Sequence, residues 1–185
     1  MLQLMKTLFV TILICVYASF STAQVFIAKT CDITFFSPSG VEDITATNKD
    51  AKPFLNTSNG NVQIKIGMRL FKFAKPLMEE HFNENYVETE KYPYAIFKGK
   101  INETIDYTKD GEYTVTVTGI LSLHGVDKEQ TIPGTLIVKG NQIIISGAFK
   151  INMAAYNINI PSLYKDIIPE ETDVKINATL EPFKK

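Results

Sequence analysis

The chain has no tryptophan, a single arginine and only two histidines and two cysteines among its 185 residues. Each shortage excludes something. With Arg69 the lone guanidinium, the planar fork that reads phosphates and base edges bidentately is missing almost everywhere. A formal net charge of −1 makes no field that would draw in nucleic acid or an acidic membrane surface. His81 and His124 are the whole imidazole supply, and neither stands at a spacing that gathers metal ligands with Cys31. No Gly-x-Ser-x-Gly elbow, phosphate-binding glycine loop or His-Glu-x-x-His run occurs. The adjacent acids Glu79-Glu80 and Glu170-Glu171 read as solvated helix-end carboxylates rather than acid–base pairs. These absences predict no catalytic residue, no metal, no cofactor and no enzymatic activity.

What is present begins with "MLQLMKTLFVTILICVYASFSTA". Lys6 precedes an apolar run from Leu8 to Ala18, and small residues close at Ser21-Thr22-Ala23. That order predicts a secretory signal over residues 1–23, cleaved after Ala23, because a membrane-spanning helix needs about 20 apolar residues. Residues 24–185 then form one domain of ordinary size. Cys15 lies in the signal, so Cys31 is the only thiol left. It shares a face with Ile33 and Phe35 and reads as a small buried apolar residue.

The dominant pattern has period two, which means half-buried strands. In "YTVTVTGILSLHG" the residues Tyr113, Val115, Val117, Leu121 and Leu123 share one face, with Gly119 among them. The other face carries hydroxyls. "IIISGAFKINM" repeats the pattern with Ile143, Ile145, Phe149, Ile151 and Met153, and Gly147 among them. Each strand would run roughly 37 Å, so the apolar face looks onto a tall interior. Glycines on that face leave space or let strands bend. "NVQIKIGMRLFKF" alternates until its phase slips, which predicts a bulge near Leu70-Phe71. In "AKPLMEEHFNENY", Pro76 suits a first helical turn, and Met78, Phe82 and Tyr86 recur every four residues on one face. A second helical turn is expected from Ser162, stopped by Pro169. About eight strands in hairpin succession suit a closed barrel or a two-sheet sandwich, and periodicity does not separate them.

Two stretches are more specific. "LMEEHFNENYVETEKYPYAIFKGKI" (Leu77 to Ile101) and "GILSLHGVDKEQTIPGTL" (Gly119 to Leu136) resemble, in order and spacing, the hallmark segments of the YceI-like family. The likeness extends from about Phe26 to Pro182. It implies an all-β, lipocalin-like, extended eight-stranded antiparallel barrel with one or two short helices. It also implies a periplasmic or extracellular, bacterial, non-catalytic protein that holds a long-chain lipid such as an isoprenoid or quinone. The family's opening Asp-x-x-His-Ser run is replaced here by "IAKTCDITFFSPSGVEDITA". Its other hallmark histidines map to His81, on the helix, and His124, at a strand end.

Combined with the alternation, this predicts a barrel lining of Met68, Leu70, Val115, Val117, Leu121, Phe149 and Ile151. Met78, His81, Phe82 and Tyr86 would form a helical lid. A site of shape and grease leaves little motif signature, which suits the missing chemistry. The competing readings are a protein-interaction or stress-related module with a filled barrel and, less favoured, an enzyme with a titratable group facing the lumen. Nothing after the signal is long enough to span a membrane, and a homodimer is left open.

Overall fold

Alternating side chains can bury one face of a sheet, but an open sheet of this size would leave two unpaired edges. The computed structural model, which describes residues 24–183 apart from residue 41, shows how the chain avoids this. The expected signal and Cys15 lie outside the described residues. Ten strands form: β1 (Val25–Ser37), β2 (Ile44–Asn48), β3 (Lys52–Asn56), β4 (Asn61–Gly67), β5 (Lys72–Phe73), β6 (Tyr94–Ile101), β7 (Gly111–Leu123), β8 (Val126–Lys139), β9 (Gln142–Asn152) and β10 (Glu171–Pro182). β1 pairs β3 at its start, from Val25 to Ile27, and β2 at its end, from Ile33 to Ser37. β4 pairs β3, and β5 pairs β2. The pairs β2/β3 and β4/β5 are therefore two staves, each broken once. β6 to β10 follow as consecutive antiparallel neighbours, and β10 returns to β1 from Phe26↔Pro182 to Phe36↔Asp173. The result is a closed eight-stranded up-and-down barrel.

Apolar faces turn inward along the long strands. On β8, Ile132, Leu136 and Val138 are buried, and on β10 so are Val174, Ile176, Ala178 and Leu180. β7 and β8 join through His124 and Gly125, both at positive φ (51° and 73°), below the pair Leu123↔Val126. A two-residue turn with both residues left-handed matches the twist of the strands it joins.

The phase slip at Leu70-Phe71 has a different origin from the expected bulge. β4 stops at Gly67, a 3₁₀ turn takes Met68 to Leu70, and the chain resumes as β5. The turn closes with the Phe71 N–H donating to the Met68 carbonyl, and the Met68 N–H donates to the Pro93 carbonyl at 3.0 Å. Asn48, fully buried at the other break, donates through Nδ2 to the Gly67 carbonyl at 2.8 Å and accepts from the Asp50 N–H at 2.8 Å. One side chain thus satisfies backbone groups that both interrupted staves would otherwise leave unpaired. β3 went unexpected, because "KPFLN" is short and carries a proline. Pro53 sits one residue past the last β1–β3 pair, Ile27↔Phe54, where the stave is already interrupted.

Cys31 is 3% exposed, and burial, aided by the neighbouring Asp32 charge, pushes its thiol up to about 11. The unfolded chain ionises this thiol at lower pH than the folded one. Its contribution to stability is therefore complete below about pH 9 and is lost as the pH rises to about 11. Iodoacetamide at pH 8 should leave Cys31 unmodified in the folded protein and alkylate it rapidly in urea. Rapid labelling of the folded protein would contradict its burial.

Candidate ligand cavity

The two ends of the barrel differ. In the upper half, around the end of β1 and the broken staves, a cavity of about 410 Å³ opens inside the wall. β1 lines it with Ile33, Phe35 and Ser37, a ladder set by the period of the strand. Leu121 of β7, Phe149 and Ile151 of β9, and Val174 and Ile176 of β10 supply the far side. Met68 and Phe71 enter from the 3₁₀ turn, and Ala95 from β6. The lower half is packed around Leu136, Ile143 and Leu180, leaving a void of only about 60 Å³. Ile176 borders both spaces.

A short helix, α1 (Pro76–His81), and a π-helical turn (Phe82–Tyr86) lie against the upper cavity. Pro76 occupies the first turn, where its missing N–H costs nothing. Glu79 receives Lys72 Nζ at 2.7 Å, and this hydrogen bond, first among its causes, holds the Glu79 carboxyl below its ordinary value. The π turn closes with the Val87 N–H donating to the Phe82 carbonyl at 2.9 Å. Phe82 packs among Phe35, Phe71 and Phe73, with ring centroids 5.1 to 5.7 Å apart. This cluster pins the helical segment to the barrel wall. On the opposite side, the segment from Ser162 to Ile168 brings Tyr164, Ile167 and Ile168 to the same space. Burial foremost, and then the nearby Tyr164 phenol, hold the Tyr86 hydroxyl above its ordinary value. Glu42 pairs with Lys75 and so ties the β1–β2 loop to the residue before α1.

Among the described residues that line it, four are titratable: Glu42, His81, Tyr86 and Tyr164. All belong to the loop, the helical segment or the facing turn, and none to the barrel wall. The wall offers two hydroxyls, Ser37 and Thr172, and is otherwise apolar. Such a chamber favours transfer of hydrocarbon out of water and provides little else.

Of the expected lining, Met68, Leu121, Phe149 and Ile151 border the upper cavity, as do Met78, His81, Phe82 and Tyr86 of the expected lid. Val115 and Val117 border the small lower void instead. Leu70, expected inside, is 44% exposed, because the 3₁₀ turn rotates it outward and brings Phe71 in. Gly119 makes no room for the cavity. A Cβ there would lie 2.2 Å from the Lys98 carbonyl oxygen, so its glycine permits close passage of β6 and β7.

A profile of the YceI-like domain matches residues 19–180. The chain belongs to the YceI-like family. Similar folds occur in solved structures. A polyisoprenoid binding domain from Saccharophagus degradans, implicated in plant cell wall breakdown, has a TM-score of 0.73 at 16% identity, covering 88% of this chain and 100% of that one. BcnA from Burkholderia cenocepacia has a TM-score of 0.68 at 18% identity, covering 80% and 95%. A YceI protein from Campylobacter jejuni has a TM-score of 0.54 at 16% identity, covering 74% and 81%. No curated protein matches the chain.

In this YceI-like barrel the two hallmark histidines part company. His81 borders the cavity at its exposed rim. His124 is buried outside the cavity, its Nδ1 donating to the Tyr156 carbonyl at 3.0 Å and its Nε2 3.0 Å from Glu88 Oε2. The ring packs on Tyr92 at 4.4 Å. Glu88 itself has φ 48°, two residues past the π turn, so His124 anchors the root of the helical segment. Phe82→Ala should release that segment. A half-buried phenylalanine of this kind contributes about 2 kcal/mol, and amide exchange over residues 76–87 should quicken at least tenfold (an estimate on the same basis). Unchanged exchange would show that other contacts hold the helix.

Proposed function

We propose that the chain is a secreted or periplasmic, non-catalytic carrier that holds the tail of an isoprenoid-type lipid in the upper cavity. One observation carries this reading: a chamber of about 410 Å³ with an apolar wall persists in a barrel whose other half is packed. Close-packed protein interiors keep few voids larger than a water molecule. Each buried CH₂ of a ligand contributes roughly 0.8 kcal/mol, so ten contribute about 8 kcal/mol before ordering and association costs. The polyisoprenoid binding domain with a similar fold supports the ligand class. The apolar run before Ala23 supports export. Among the described residues, no helix is long and apolar enough to cross a membrane.

The test is mass spectrometry of an organic extract from protein purified without detergent. A co-purifying lipid at near-stoichiometric amount is expected. A clean extract, together with no uptake of an added prenol, would favour an interaction module over a carrier. Intact mass of the exported protein reports whether residues 1–23 are removed.

A further inference from the structure

The cavity has a floor, a size and one buried polar atom without a hydrogen-bond partner among the described residues, and together they constrain its occupant. The floor lies where Ile176 separates the chamber from the packed lower half. Beneath it Leu136, Ile143 and Leu180 are each no more than 1% exposed, so a tail cannot continue down the barrel. The volume sets a length. An engineered cavity of about 150 Å³ accepts benzene, with six carbons. On that scale about 410 Å³ accepts roughly sixteen. The polar atom is Ser37 Oγ. Ser37 is 3% exposed and its hydroxyl has no hydrogen-bond partner among the described residues. It faces inward one strand period above Phe35, near the Ser39 and Glu42 rim, and lines the cavity. Buried hydroxyls are almost always hydrogen-bonded, so an orphan in a ligand-sized chamber points to a partner supplied by the ligand. Among the described residues no lysine or arginine lines the space; His81 and Glu42 stand at its rim, and Glu42 is paired with Lys75. The barrel wall itself offers an anionic head no counter-charge, which favours a neutral one.

We infer that the ligand is a single-tailed neutral amphiphile of about sixteen carbons, an alcohol or carbonyl compound of prenyl or alkyl type, whose polar end meets Ser37. A full-length polyprenyl chain is too long for the chamber. This rests on the carrier reading and narrows it. The hydroxyl of Ser37 donates to the ligand oxygen after rotation about a single side-chain bond, and that rotation breaks no existing hydrogen bond.

The experiment is a length series of prenols competing with a fluorescent apolar probe on the full chain: farnesol, geranylgeraniol and an eight-unit polyprenol. Affinity should peak at farnesol or geranylgeraniol, with the eight-unit chain at least tenfold weaker. If the longest chain binds as tightly, the carrier reading stands and the length limit is overturned. If no prenol binds, both fall. Ser37→Ala should weaken farnesol about fivefold and leave its hydrocarbon analogue, farnesane, unchanged. Equal loss for both, or loss for neither, removes the head-group contact. Palmitate should bind more weakly than hexadecanol, and the reverse order overturns the neutral head. Ile176→Ala, if folded, should move the optimum to longer chains by joining the two spaces. If it does not fold, the series on the unaltered protein still decides the length.

Discussion

Phe149→Asp should abolish uptake of a prenol or apolar probe while leaving the barrel folded. Phe149 is half-buried on β9 and contributes to the wall of the upper cavity. In the empty protein a carboxylate there is reached by water through the same opening that admits the ligand. A bound hydrocarbon would displace that water. The carboxylate would then have to stay charged in an apolar chamber or take up a proton, and each alternative opposes binding. A penalty of about 3 kcal/mol, the low end for an uncompensated polar group, lowers affinity at least a hundredfold, by the usual factor of ten per 1.4 kcal/mol. Two measurements decide it: probe affinity and thermal midpoint. Tight binding by a folded Phe149→Asp protein would place the ligand elsewhere on the molecule. Sensitivity should also ease at low pH, where the introduced carboxyl is neutral.

Gly119→Ala is expected to have the largest effect on stability. The residue pairs with Gly99 across β6 and β7, and its added Cβ would meet the Lys98 carbonyl oxygen at 2.2 Å and the Gly99 Cα at 2.3 Å. Both obstacles are backbone, so neither can rotate away. The two strands must separate, and in a closed barrel that displacement passes to every neighbour. A cost of about 3 kcal/mol or more follows, at the upper end for overpacking. Gly147→Ala is the comparison. There the nearest atom is a methyl of Ile132 at 3.2 Å, which can yield, so the loss should be smaller. Urea midpoints for the two variants provide the test. Equal loss would mean that the strand spacing at Gly119 is softer than the geometry indicates.

The fates of these two glycines show how far the sequence could be read. Their inward position follows from period two alone. Whether such a glycine opens space or permits close approach depends on the partner strand, and the pairing of Gly99 with Gly119 appears only once the barrel closes. Leu70 shows the same limit. A slip of phase is plain in "GMRLFKF", but a bulge and a 3₁₀ turn produce the same slip and send Leu70 to opposite sides. Ser37 was within reach, since it continues the face of Ile33 and Phe35. A single serine on an apolar face draws no notice until it proves to lack a partner among the described residues.

The local pattern by itself determined which face of each long strand turns inward, where the short helix starts and, through two hallmark stretches, the family and the barrel. Those features depend on neighbours within one strand or turn, where side-chain period and proline chemistry decide the outcome. Only the tertiary structure decided that the lumen is hollow above and packed below. Void volume is what remains after side chains from all eight staves have met across the barrel. Residues from one face, such as Val117 and Leu121, can therefore end in different chambers.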